Sequence, residues 1–169
     1  IDPAAERSRV KPHAFGMHAS VYDNALHDPE LPALLEESGI GLLRWPGGGY
    51  SDSSHWSTHN MTPWADGNDG YLAEDSDFGS FVRLLDQTGT TAMITVNYGS
   101  NLAGTGPGEP KEAAAWVAYA NGDPEDTTVI GVDSAGNDWR TVGYWASLRA
   151  SAPLALDDGQ NFLRVERPE

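Results

Sequence analysis

LRWPGGGYSDSSHW, residues 43–56, takes an apolar run into a cation, a proline and three glycines, then hands over to tyrosine, aspartate, histidine and tryptophan. The run itself, IGLLRWP over 40–46, is too short for a helix and reads as a buried strand. Pro46 cannot donate to a ladder and ends it. Gly47, Gly48 and Gly49 allow positive φ and let a ligand approach main-chain amides. Arg44, the last charged residue of the strand, can hold a carboxylate or hydrogen-bond sugar hydroxyls with its fork of donors. Tyr50, Asp52, His55 and Trp56 add flat apolar faces with polar tips, the pairing that a sugar ring asks of a pocket. The alternative is a tight turn around a structural Arg–carboxylate pair.

Working outward, AFGMHASVY (14–22) reads as a short strand entering a loop, and DPELPALLEESG (28–39) as a helix with Gly39 at its C-terminal cap. Beyond the quoted stretch, residues 51–74 show neither helical nor alternating period and read as a long functional loop. DSDFGSFVRLLDQTG (75–89) is an amphipathic helix, TAMITVNYG (91–99) a strand apolar enough to be covered on both faces, and EPKEAAAWVAYAN (109–121) another helix. A short strand over 128–132, a helix over 138–152 and a further ordered piece at FLRVE (162–166) complete the pattern. Strand and helix alternate, which implies right-handed βαβ crossovers and a parallel sheet. A dinucleotide-binding open sheet needs a G-x-G-x-x-G turn after its first strand, and FGMHAS lacks it. The expected fold is therefore α/β, the N-terminal portion of a (β/α)₈ barrel. A whole barrel takes about 250 residues, so 1–169 supplies three to four strand-helix units of one catalytic domain, completed by residues outside this chain.

With 10 Lys plus Arg against 25 Asp plus Glu, the net charge is -15, which repels phosphate backbones and anionic lipid and argues against nucleic acid and membrane as partners. A neutral sugar is indifferent to that field. No cysteine is present, so disulfides and thiolate metal sites are excluded. DGNDG (66–70) lacks the alternating ligand spacing of a calcium loop and GTGPG (104–108) lacks the Gly-Lys-Ser/Thr ending of a phosphate loop. Neither a metal nor a cofactor is expected. His18, just past the first strand, and Asn97 and Tyr98, at the end of the third, share the barrel rim with the residue 43–56 turn. The expected substrate-binding set is His18, Arg44, Gly48, Gly49, Tyr50, His55, Trp56, Asn97 and Tyr98. No acidic residue here ends a strand as a catalytic pair requires, about 5 Å apart in a retaining enzyme, and Glu166 and Glu169 are given no role. Acidity, absent cysteine and loops rich in Trp, Gly and Asn fit an exported bacterial polysaccharide-degrading protein.

Arg44-Trp45-Pro46-Gly47-Gly48 followed by His55-Trp56, then the strand from Met93 to Gly99, then the helix from Ala114 to Asn121, resemble in this order the motifs of the α-L-arabinofuranosidases of glycoside hydrolase family 51 and their relatives. The resemblance implies a (β/α)₈ barrel that works through a covalent glycosyl-enzyme intermediate. It also implies an acid/base glutamate after an Asn at the end of strand four and a nucleophile glutamate ending strand seven, both outside this chain. FLRVERPE would lie just before strand four. Two positions depart from the family: His18-Ala19-Ser20 stands where a sugar-contacting Glu is usual, and Gly49 where Asn is usual. The implied partners are a neutral sugar or polysaccharide and the remainder of the barrel, as a second chain or further sequence. The alternative is a non-catalytic carbohydrate-binding module with Trp56, Trp64 and Tyr71 as a platform, or a glycosidase-like scaffold.

Overall fold

The computed structural model describes residues 11–63, 70–121, 129–132, 138–140 and 162–165. The elements are β1 (Gly16–His18), α1 (Leu31–Ser38), β2 (Leu42–Trp45), β3 (Ser54–His55), β4 (Asn60–Met61), α2 (Phe78–Thr88), β5 (Thr91–Thr95), α3 (Pro110–Asn121), β6 (Val129–Val132), β7 (Asp138–Arg140) and β8 (Phe162–Val165). Two short antiparallel ribbons, β3 with β4 and β6 with β7, accompany one four-stranded sheet of order β1-β2-β5-β8.

The first three strands of that sheet are parallel, with His18 opposite Arg44 and Arg44 opposite Met93. The two crossovers through α1 and α2 are the βαβ units that the sequence predicts. β8 departs from the expectation of an all-parallel sheet: it pairs with β5 antiparallel, Thr95 opposite Phe162. An unpaired edge presents its N–H and C=O groups to a strand of either direction, and the segment near the chain's end takes that edge in reverse. A second correction concerns 138–140, expected in a helix and found as a strand, because Val129–Val132 offers it a ladder. The rest of that expected helix lies outside the described residues, as do Trp64, Glu166 and Glu169. The long loop is less irregular than expected, since it contains a 3₁₀ turn over Gly49–Asp52 and the β3–β4 hairpin. Three helices and a largely parallel sheet do not fit the β-sandwich of a carbohydrate-binding module.

Alternation along the strands sorts the side chains. Leu43, Trp45, Ala92 and Ile94 point to one face and are all at most 2% exposed, packed with Leu35 of α1 and Phe78, Phe81, Val82 and Leu85 of α2. The opposite face carries Leu42, Arg44, Thr91 and Met93, all half-exposed. The sheet is thus covered on one side only among the described residues, whereas parallel sheets are ordinarily covered on both. α2 is fixed at both ends: the Asp77 carboxylate accepts from Ser80 N–H at 2.6 Å, and Gly89, in the left-handed region, closes the helix. An aromatic ladder crosses the core. Trp45 stacks on Phe81 at 5.3 Å and meets Trp116 edge-on, and Trp116 stacks on Trp56 at 5.8 Å.

Candidate functional site

The chemistry-bearing groups gather at the C-terminal ends of β1, β2 and β5, where parallel strands leave their loops. Arg44 lies on the uncovered face. Its Nε–H donates to Thr95 Oγ1 at 3.1 Å, which fixes the plane of the guanidinium, and among the described residues no carboxylate lies in ion-pair range of it. His18, its neighbour in register, has Nε2 3.4 Å from Pro46 O and 3.2 Å from Ser20 Oγ. That approach depends on Gly47, at φ 67°: a Cβ there would lie 1.8 Å from His18 Nε2, so any side chain would displace the imidazole. Gly48 and Gly49 follow with exposed backbone. Tyr50 is half-buried with its ring centroid 4.7 Å from that of Tyr22.

The other expected site residues are placed differently. His55 is 1% exposed. Its Nδ1 meets Glu112 Oε1 at 2.9 Å and its Nε2 meets Thr62 Oγ1 at 2.9 Å, while the Thr62 hydroxyl donates to Asn101 O at 3.0 Å. A hydroxyl has one proton; with that proton directed at Asn101, Nε2 is the donor to Thr62. Both ring nitrogens have partners inside the protein. Trp56 is likewise committed, its indole N–H donating to Glu112 O at 3.3 Å and its ring stacked on Trp116. Asn97 donates from Nδ2 to Ser54 O and accepts at Oδ1 from Ser100 N–H, both at 3.1 Å. It fastens the end of β5 to the loop after β2. Tyr98 is 68% exposed.

These links join two loops into one rim. Ser100 Oγ donates to Asp52 O at 2.9 Å, and Gly99 lies so close that a Cβ would meet Asp52 at 2.6 Å. His18, Arg44, the turn over Gly48, Gly49 and Tyr50, and Tyr98 remain as the part of the expected set with groups facing outward. Sequence reasoning missed Thr95, Thr62 and Glu112. Glu112 reads as an ordinary first-turn acid of α3, and only the buried His55 facing it gives it another role. Among the described residues no group of three or more His, Asp or Glu side chains could hold a metal, and no helix is long and apolar enough to cross a membrane.

The comparisons with known proteins bear on this rim. The chain is 31% identical over 96 residues to an intracellular exo-α-L-arabinofuranosidase of Bacteroides ovatus, covering 53% of this chain and 17% of that protein. It is 25% identical over 170 residues to a probable α-L-arabinofuranosidase C of Aspergillus niger, covering 86% of this chain and 32% of that protein. The chain resembles the N-terminal part of a family 51-type α-L-arabinofuranosidase. The structure of a family 51 α-L-arabinofuranosidase from Bifidobacterium longum superposes with a TM-score of 0.50 at 20% identity, over 69% of this chain and 25% of that one. That likeness carries the fold: the mixed sheet and helices match the N-terminal region of such a structure. No family profile matches the chain. The chain spans a third or less of the length of both curated relatives.

Proposed function

We propose that this chain is the first part of a (β/α)₈ glycoside hydrolase that retains configuration and acts on a neutral glycoside, an α-L-arabinofuranoside first of all. In this reading β1, β2 and β5 are the first three barrel strands, and the uncovered sheet face looks into the barrel. His18, Arg44, the Gly48 and Gly49 amides and Tyr50 contact the sugar or the groups that act on it. His55, Trp56 and Asn97 hold the loops that carry them, and the catalytic carboxylates come from residues outside this chain. The carrying observation is Arg44: a half-buried guanidinium oriented by Thr95 on an open sheet face, with no carboxylate in range among the described residues. A half-buried cation is favoured where an anion completes it, and a catalytic carboxylate from a later strand would do so. The bidentate fork also fixes such a carboxylate's plane, which a nucleophile needs.

The test is hydrolysis of aryl glycosides by the full-length gene product, with the anomer first formed read by NMR. Cleavage of the α-L-arabinofuranoside with retention is expected. Arg44→Leu should lower kcat/KM by at least about 10²-fold, the scale on which removing one charge-stabilising donor acts. No cleavage of any neutral aryl glycoside, or full activity in Arg44→Leu, would refute the proposal.

A further inference from the structure

Resting on the reading just given, we infer that Tyr22 and Tyr50 form a stacking subsite for a second sugar unit of a neutral oligosaccharide, beside the subsite at Arg44. Tyr22 belongs to a loop held with unusual firmness for a segment that ends in an exposed ring. Ala19, Ser20 and Val21 are at most 6% exposed. Ala19 N–H donates to Arg44 O at 2.9 Å, Ala73 N–H donates to Val21 O at 2.8 Å, and the Ser76 hydroxyl also donates to Val21 O. After Val21 the backbone turns at once, Asp23 N–H donating to Ser20 O at 3.0 Å and the Asp23 carboxylate accepting from Ala25 N–H at 2.9 Å. Tyr22 stands between these two anchors and is 45% exposed.

Its ring leans on Tyr50 at 4.7 Å with 54° between the planes. The two rings form an open wedge rather than a closed stack, and Tyr50 packs against the core behind it. A rigidly presented aromatic ring loses little conformational freedom when a ligand lands on it, which is the property of a binding anchor. The apolar face of a sugar ring is complementary to such a surface, and the hydroxyls at its edge reach the phenol tips. The wedge joins the loops after β1 and β2, the strands that carry His18 and Arg44, so a chain whose terminal sugar lies at Arg44 passes over it. Tyr22 lies outside the motifs that mark the rim in the sequence, and only the packing of its loop singles it out.

The experiment compares KM for an aryl α-L-arabinofuranoside with KM for a linear arabino-oligosaccharide in the full-length enzyme. Tyr22→Ala should raise the ratio of oligosaccharide to aryl KM about tenfold, the effect of losing one stacking face. Tyr22→Phe and Tyr22→Trp, which keep a ring and the packing on Tyr50, should hold the ratio within about twofold of the unaltered enzyme. An unchanged ratio in Tyr22→Ala with both substrates still cleaved overturns the subsite and leaves the glycosidase reading standing. A raised ratio in Tyr22→Trp equal to that in Tyr22→Ala also overturns it. Failure of the unaltered enzyme to cleave either substrate overturns the glycosidase reading, and the subsite with it.

Discussion

Replacing Glu112 by leucine asks how much the buried pair with His55 holds together. The side chains are 0% and 7% exposed, so water cannot substitute for the lost acceptor, and leucine matches the volume without offering one. A neutral donor stranded in such a place costs about 1–3 kcal/mol, and a buried charge stripped of its partner about 3–5 kcal/mol. The two ranges meet at about 3 kcal/mol. At about 2–4 °C per kcal/mol for a chain of this size, a loss of about 3 kcal/mol lowers Tm by about 6–12 °C. Urea midpoints read by tryptophan fluorescence suit the measurement, because Trp56 and Trp116 stack beside the pair. Adding His55→Leu should recover most of the loss, since two apolar residues leave nothing unpaired, and Thr62 keeps its bond to Asn101 O. A single-variant cost below about 0.5 kcal/mol, or a double variant whose cost is the sum of the two singles, would refute the reasoning.

Gly47→Ala forces a side chain into a left-handed position and onto His18; a loss of about 2–3 kcal/mol is expected in urea melts, together with a change in the His18 imidazole NMR shifts. Asp77→Ala should cost about 1 kcal/mol by uncapping α2. Burial pushes the Asp77 carboxyl up, but the Ser80 backbone and hydroxyl bonds and the charges of His59 and Arg83 outweigh it, so its pKa lies below the ordinary 3.8. A carboxyl lowered in the folded state stabilises above its unfolded pKa and loses that contribution as pH falls through the folded one. The gap between the urea midpoints of Asp77→Ala and the unaltered protein should therefore persist down to about pH 4 and close below it. Phe15 and Met17, at 59% and 43% exposure, sit at the outer strand of the sheet. Phe15→Glu with Met17→Glu should reduce self-association of the 169-residue chain in light scattering, by placing charge on that edge.

The frame of the fold was legible because its signals are local. α2 stops where Gly89 says it should and starts where Asp77 can cap it, and the parallel order of β1, β2 and β5 follows from helices intervening between short apolar runs. The internal partners of His55 and Asn97 were not legible. A polar residue near the end of an apolar strand looks the same in sequence whether it meets a ligand or a neighbour, and the neighbours here lie 57 and 43 residues away. Residues 138–140 read as the start of a helix over 138–152, yet strand pairing with β6 overrides that reading, as tertiary context commonly does. The direction of β8 could not be read at all, because an apolar run carries no mark of parallel or antiparallel pairing.

The three glycines after Arg44 now have a mechanical account. Trp45 and Trp56 are both fixed in the aromatic ladder, one against Phe81 and the other against Trp116, so the chain between them must leave the sheet and return to the same core. Because successive side chains of a strand alternate, the burial of Trp45 on the helix side forces Arg44 to the opposite face. A slip of one residue would bury the guanidinium among phenylalanines and expose the indole, an exchange the core forbids. The orientation of Arg44 is therefore set by its neighbour in sequence, not by any contact of its own with a ligand. Thr95 then holds the guanidinium, and Gly47 makes room for His18 beside it. The turn that looked like a break in the pattern is the shortest route by which a core aromatic can aim a charged group outward and still bring the chain back to bury the next one.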